Sequence, residues 1–403
     1  MSRIENVEDP QLRNFMLTTM KNYKENRYIR RLDDSELARK DITWFLPIFT
    51  VTNPNKKKTR LVWDAAAKIQ GVSLNDCLLK GPDTLASLMG ILIRFRERPI
   101  AISGDIREMF HQVRVRPEDQ AAQRFLWRDG NSQRPPEVYV MQVMTFGASC
   151  SPSLASYVLK RNAQRYEAEY PEAVKAICGN TFVDDWLQSV DSVAEMTKLA
   201  QAVKLIHADG GFDMRHWTSI LKQCWSEKVL GMWWQPGEDC LTFMVKPDTI
   251  AKALHGRPTK RRVLSMIMTI FDPLELLDFS TYAQKSFCKI YGGGVGWDEP
   301  LKEEDEADWR RWLDLVPTLN NLRIARCLKG VSAARCLEMH TFVDASVNAY
   351  AAVVYIRAEV DDQVHCSLVA SKTRVCSIET NFDTSHGTHG SCFGAEVGQM
   401  YRV

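Results

Sequence analysis

No two cysteines in this 403-residue chain follow the C-x-x-C spacing, although it holds eleven of them. Scattered and odd in number, they argue against a disulfide framework and for reduced thiols, so an intracellular setting, cytoplasm or nucleus, is expected. No apolar run approaches the ~18 residues that a membrane span needs. The opening MSRIENVEDP is polar and offers no signal-peptide core. Neither secretion nor a membrane partner is expected. Internal repeats and long low-complexity tracts are absent as well. Charge of one sign is also lacking: the net is +2, which neither demands nor excludes a nucleic-acid partner. What remains is an ordinary globular composition, 45% apolar and 25% charged, with length for two or three domains.

The charge that is present is uneven. Residues 1–120 carry 21 Lys and Arg against 16 Asp and Glu, with a tight basic run at Lys56, Lys57, Lys58 and Arg60. Such a run is a solvated turn or a phosphate contact. Around it, WFLPIFTVTNP (44–54) and TRLVWD (59–64) alternate like the strands of a hairpin. Residues 10–40 are compatible with helix, and Asp33 or Asp34 is placed to cap SELARK. RPIAISGDI (98–106) reads as a buried strand with a carboxylate at its tip. After SCSP a helix is expected to open at Ser151 as cap and Pro152, bury Leu154, Val158 and Leu159, and stop at Pro171. TFV and WLQSV (181–190) are short strands meeting at an acidic corner, and 229–245 is a hairpin turning at Pro236-Gly237-Glu238-Asp239. Residues 247–335 read as mainly helical and 340–356 as strand-turn-strand. From 377 the pattern is lost.

The acids carry the chemistry. Phosphoryl transfer to a nucleic-acid 3′ end needs two Mg²⁺ ions about 4 Å apart, held by two or three converging carboxylates. Asp105 at a strand end beside Asp184 and Asp185 at a hairpin corner supplies such a set. The pair alone says little, because Asp-Asp also occurs at 33–34 and 361–362. Its flanks distinguish it: it lies between apolar strands, where an unpaired acid is costly to bury unless a metal or partner accepts it.

The segments WFLPIFTVTNPNKKKTRLVWDAAAK, SLNDCLLKGPD, GDIREMFHQVRVRPEDQ, RFLWRDG, FGASCSPSLA, TFVDDWL, GGFDMRHW and VLGMWW follow one another in one order. In that succession residues 40–246, and more weakly those up to about 376, resemble the reverse transcriptase of Pao/BEL long-terminal-repeat retrotransposons. The resemblance implies an α+β right-hand polymerase of fingers, palm and thumb. Residues 1–246 would be fingers and palm behind an N-terminal extension of about forty residues, 247–335 a helical thumb and connection, 336–376 a partial ribonuclease H-like segment and 377–403 an irregular tail. It implies an RNA-directed DNA polymerase that uses two Mg²⁺ ions, or Mn²⁺ in their place, on a primed RNA or DNA template with dNTPs. Asp105, Asp184 and Asp185 would be the catalytic metal ligands. Lys58 and Arg60 would meet the triphosphate; Phe110 would exclude a 2′-hydroxyl, where the bare sequence reads it as core. Phe146 and Gly147 would lie against the nucleotide, and Met232, Trp233 and Trp234 would form the primer grip, with at most one tryptophan facing the primer.

The chain departs from the family at several points. Gly104 and Arg107 flank the first acid, where Arg107 would face solvent or compete for the carboxylate, and Glu275 stands where the family has glycine, a substitution that would strain that turn. Asp344 in FVDAS resembles the first ribonuclease H-like acid, but after SKTRV (371–375) the likeness ends. Glu379 and Glu396 lack the context of further acids, so no ribonuclease H activity is expected. His386, His389 and Cys392 have ligand-like spacing in an aperiodic tail. These departures keep a second reading open, a decayed or co-opted fragment that binds nucleic acid without efficient synthesis.

Overall fold

The computed structural model describes residues 9–37, 43–53, 58–131, 133–221, 226–277, 290, 294–346 and 349–375. The chain begins with α1 (Pro10–Glu25), β1 (Ile29–Arg31), α2 (Asp34–Leu37), β2 (Ile48–Asn53), β3 (Lys58–Trp63), α3 (Leu88–Glu97), β4 (Ile100–Ile106), β5 (Arg124–Trp127) and β6 (Glu137–Met141). It continues through α4 (Ser151–Gln164), α5 (Pro171–Asn180), β7 (Thr181–Phe182), β8 (Asp185–Val190), α6 (Val193–Asp209), β9 (Met214–Ser219), β10 (Glu227–Val229), β11 (Met232–Gln235) and β12 (Cys240–Thr242). The last third holds α7 (Pro247–Leu254), α8 (Lys260–Ile267), α9 (Glu303–Leu315), β13 (Ile324–Ala325), β14 (Cys336–Ala345), β15 (Ala349–Val360) and β16 (Gln363–Val375). Packing divides the chain into two compact units that do not follow sequence segments: 1–85, 106–178 and 202–215 in one, 86–105, 179–201 and 216–403 in the other.

In the first unit, α1 is capped by Asp9, which accepts from the Gln11 and Leu12 amides. Its Met16, Met20 and Tyr23 pack with Trp63, Phe125, Tyr139 and Met141 into one apolar core. That core lies on a three-stranded sheet of order β1-β6-β5 and on the expected hairpin β2–β3, whose register pairs Val51 with Arg60 and Asn53 with Lys58. Asp33 is the acid that caps α2, accepting from the Glu36 amide at 2.9 Å. The helix after SCSP forms, but differently from expectation. Cys150 holds the cap position without a side-chain bond, and the Ser151 hydroxyl donates instead to the Thr145 carbonyl at 2.8 Å. The buried stripe is Ala155, Leu159 and Ala163, while Leu154 is exposed, because small residues let this face pack closely. Pro171 opens α5 rather than closing α4.

The second unit is built on a sheet of order β7-β8-β4-β9, in which β4 and β8 run antiparallel from Ile100 opposite Val190 to Asp105 opposite Asp185. α3 covers it. Ser87 caps this helix, and Arg94 ties it down by donating to the Asn180 side chain (2.7 Å) and the Gly179 carbonyl (2.6 Å). A second sheet, β10-β11-β12-β13, turns between β11 and β12 at 236–239, as expected. A meander, β14-β15-β16, follows. Its Ala352, Val354, Val369 and Ala370 share one apolar core with Ile91, Phe95, Leu187 and Trp234. α7, α8 and α9 enclose a separate core around Val263, Trp309 and Trp312. Thr259 caps α8. Among the described residues no helix is long and apolar enough to cross a membrane.

Candidate active site

Strand register sets two acids opposite each other, and a third adjoins them on a turn. Asp105 is the penultimate residue of β4, and its Cα partner across the ladder is Asp185, the first residue of β8. Residues directly opposite in an antiparallel pair have their Cβ atoms about 5 Å apart on one face. β7 and β8 are joined through Val183 and Asp184 alone, since Phe182 pairs with Asp185. Val183 takes φ +56°, the left-handed region that a β-branched residue rarely occupies. Asp184 is exposed at this corner, while Asp105 and Asp185 are half-buried.

Asp105 and Asp185 open on a cleft of about 190 Å³ whose lining also includes Ser103, Gly104, Leu187, His216, Glu227, Lys228 and Val229. The Asp105 Oδ1 is buried and has no hydrogen-bond partner. A buried carboxylate oxygen left so is costly and calls for a cation or donor. Among the described residues no group of three or more His, Cys, Asp or Glu is gathered into a ready-made metal cage. Mg²⁺ does not need one, because it is bound by one or two carboxylates together with waters and substrate phosphates. The donor set therefore fits a hard divalent cation. His216, Glu227 and Lys228 were not singled out from sequence. They lie within or beside motifs that were read, GGFDMRHW and VLGMWW, but nothing in those runs says that β9 and β10 end at the same cleft.

On the hairpin β10–β11, Lys228 is the cross-strand partner of Trp233 and its ammonium lies 5.7 Å from that ring's centre. Trp233 is half-buried, whereas Met232 and Trp234 are 1% and 0% exposed. Of the three residues expected to form a primer grip, Trp233 is the one whose side chain is not buried; Met232 and Trp234 point into the core because alternate residues of a strand take opposite faces. Trp234 also donates its indole N–H to Asp239 at 3.1 Å.

The remaining residues lie in the first unit. Phe110 and Phe146 are both half-buried, with ring centres 5.0 Å apart. Gly147 has φ +114°, and a Cβ there would meet the Trp63 carbonyl oxygen at 2.3 Å, so only glycine fits. Asn75 pins the loop, donating to the Gly147 carbonyl at 3.0 Å and accepting from the Ser149 amide at 2.8 Å. His111, beside Phe110, was not anticipated. Burial holds its imidazole down at about 4, among the rings of Tyr23, Tyr28 and Phe146. Arg60 is exposed on β3, and the Cα partner of Lys58 across the hairpin is Asn53. Lys56 and Lys57 lie outside the described residues.

Arg107 is exposed, with its Nε 3.7 Å from Glu108, which favours the solvent-facing reading of it. Asp344 is exposed on β14 opposite Ala351, its carboxylate accepting from the next amide at 2.9 Å. Glu379, His386, His389, Cys392 and Glu396 lie outside the described residues.

Residues 53–217 match the family described as reverse transcriptase (RNA-dependent DNA polymerase). Residues 259–384 match the family described as the Pao retrotransposon-like RNaseH-like domain, a match that begins well before the segment expected at 336. No curated protein matches the chain. Among solved structures it resembles the foamy viral protease-reverse transcriptase bound to an RNA/DNA hybrid, with a TM-score of 0.62 and 14% identity over 97% of this chain and 46% of that one. The same viral protein with double-stranded DNA gives 0.61 and 15% over 96% and 71%. The chain spans about half the length of the first of these. At such identity the likeness establishes the fold: an α+β right-hand polymerase followed by a ribonuclease H-like segment.

Proposed function

We propose, from the match of residues 53–217 to the reverse transcriptase family and of residues 259–384 to the Pao retrotransposon-like RNaseH-like domain, that the chain is an RNA-directed DNA polymerase adding nucleotides to a primer 3′ end. The observation that carries this reading is the β4–β8 register, which sets Asp105 opposite Asp185 with Asp184 on the adjoining two-residue turn. Asp105, Asp184 and Asp185 would hold two Mg²⁺ ions, with Mn²⁺ as a substitute. Bound there, the ions would supply a lowered pKa for the attacking 3′-hydroxyl and neutralisation of charge on the departing pyrophosphate.

The reaction forms a bond between the primer's 3′ oxygen and the α-phosphorus and breaks the bond from that phosphorus to pyrophosphate, the hydroxyl proton passing to water. The chain's own part is positioning and charge. Exposed Arg60, with Lys58 beside it, offers donors to the triphosphate; a guanidinium matches phosphate oxygens in a bidentate fork. The Phe110 ring, set against Phe146, blocks the space of a 2′-hydroxyl. Trp233, with Lys228 over its ring, supports the primer. In this reading residues 1–246 supply fingers and palm, 247–335 the thumb and connection, and 336–376 the ribonuclease H-like segment. The primed template, RNA or DNA, is supported by the relatives bound to an RNA/DNA hybrid and to double-stranded DNA. The setting is the cytoplasm or nucleus, in keeping with free thiols such as Cys77 and Cys336.

The test is primer extension by the purified protein with an RNA template, a DNA primer, dNTPs and Mg²⁺. Extension is expected, and Asp185→Asn should abolish it while leaving duplex binding. A wild-type protein that binds the duplex and adds no nucleotide would sink the proposal. In the same assay Phe110→Val should admit ribonucleotides; unchanged sugar discrimination would remove that role from Phe110.

A further inference from the structure

Arg326 is 0% exposed, a rare state for an arginine. A guanidinium carries five N–H donors, and here every one has an acceptor. Nε and one Nη2 hydrogen go to the Asp239 carboxylate at 2.6 and 2.7 Å. The other Nη2 hydrogen goes to the Pro99 carbonyl at 2.8 Å, and Nη1 reaches the carbonyls of Arg98, at 2.9 Å, and Phe95. The acceptors belong to two places only. Phe95 lies in the last turn of α3, and Arg98 and Pro99 lead from it into β4, the strand that carries Asp105. Asp239 closes the β11–β12 hairpin that carries Trp233, and its Oδ1 also holds the Trp234 indole.

The tie is reciprocal. Arg96, 2% exposed, donates to the carbonyls of Arg326 (3.1 Å), Ala325 (3.3 Å), Leu368 (2.8 Å) and Val369 (2.6 Å). The Arg326 amide donates to the Asp239 carbonyl at 3.0 Å and the Leu328 amide to the Arg96 carbonyl at 2.7 Å. Burial and the neighbouring Arg326 bring the Arg96 guanidinium down to about 10, which leaves it charged at neutral pH.

We propose that Arg326 is a positioning residue for nucleotide addition: it fixes the hairpin bearing Trp233 against the base of the strand bearing Asp105. The inference rests on the polymerase reading above. It adds that a residue beyond the reverse-transcriptase match at 53–217, and within the match at 259–384, sets the geometry of the polymerase site. Burial of so many polar groups on one side chain needs a geometric return, because an apolar residue would fill the same space without desolvating a charge. Lysine cannot substitute, since its ammonium has three donors and no planar fork. Misplacement of a primer end by about 1 Å lowers rates on the order of 100-fold.

Arg326→Lys tests the claim directly. Asp239→Asn tests it more gently, since an amide keeps the Oδ1 contacts and turns an NH₂ toward the guanidinium in place of Oδ2. Three quantities are read for each: the dissociation constant for a primed template, the single-turnover rate of nucleotide addition, and amide exchange. Addition should slow on the order of 10- to 100-fold, while binding changes by less than about 3-fold. Exchange should rise in 227–242 and 96–106 and stay unchanged in 10–25. A folded variant with the wild-type rate overturns the proposal, as does loss of protection throughout 216–375, which would make Arg326 a general support. If Arg326→Lys does not fold, Asp239→Asn decides. If the wild type adds no nucleotide, the polymerase reading falls; the tie itself is then judged by exchange in Asp239→Asn, and an unchanged hairpin overturns it.

Discussion

At position 183 a β-branched side chain occupies the first place of a two-residue turn at φ +56°, where glycine would be at ease. Such a conformation costs about 1–3 kcal/mol and persists only where surrounding structure imposes it. Here the imposed feature is the corner that aims Asp184 and Asp185. Val183→Gly is therefore expected to raise thermal stability, by roughly 1 kcal/mol once the greater freedom of the unfolded glycine is counted, and to slow nucleotide addition by loosening the corner. A variant that is less stable, or as fast as wild type, would show that the strain has no role. His111 makes the second prediction at this scale. Its folded pKa of about 4 lies below the ordinary histidine value of 6.5. The unfolded chain then binds the extra proton first, so the stability His111 contributes is full above pH 6.5 and is lost as pH falls toward 4, by about 3 kcal/mol. Both ring nitrogens lack hydrogen-bond partners, so His111→Phe leaves no new polar group unpaired. The difference in melting temperature between variant and wild type should grow as pH falls from 6.5 to 4. Parallel curves would contradict the assignment. The acids of the site were legible because carboxylates at strand ends stand out against apolar neighbours. His111 was not, because one histidine in a polar-aromatic run looks the same whether buried or exposed.

The turn after α8 shows a local rule broken for a local gain. Glu275 has φ +48°, so the strain expected from a glycine position is real. Yet the residue is used. Its carboxylate accepts from the Lys372 ammonium at 2.6 Å and the Thr373 amide at 2.8 Å, and lies 3.5 Å from Arg374. Its carbonyl accepts from Ser371, whose amide donates in turn to the Leu274 carbonyl at 3.0 Å. Glu275→Gly would relieve the backbone but leave the Thr373 amide and Lys372 without this partner. A net loss of about 1–2 kcal/mol is expected, read as faster amide exchange confined to 363–375. Exchange unchanged there would mean that β16 is held by its ladder with β15 alone. Elements with a strong period were legible: the β2–β3 hairpin, β4, the acidic corner and the 236–239 turn. The stripe of α4 was misread, since Ala155 and Ala163 weigh little in a hydrophobic pattern although close packing selects them. The contact from 275 to 373 has no trace in sequence, because nothing local announces a partner nearly a hundred residues away.

At the scale of the whole chain, the meander β14–β16 looks in sequence like a detachable end, and its packing argues otherwise. One face of β15 and β16 places Ala352, Val354, Val369 and Ala370 in the same core as Ile91, Phe95 and Trp234. The Arg96 guanidinium spends two of its bonds on the carbonyls of Leu368 and Val369. Removing residues 336–403 would bare that apolar face and strand charged donors in a buried place, each worth about 1.5–3 kcal/mol when bonded. A truncated chain ending at 335 is therefore expected to melt well below the full chain, bind a hydrophobic dye and lose exchange protection in α3 and β11. Residues of α1, whose Met16, Met20 and Tyr23 pack in the first unit's core, should keep theirs. A truncated chain that melts with the full protein would show that the meander is an appendage. It would also undercut Arg326, because the segment that carries it is pinned to the meander through Arg96. Loss of protection limited to α3, β11 and their neighbours would instead show that the polymerase site and the ribonuclease H-like strands are stabilised by one shared interior.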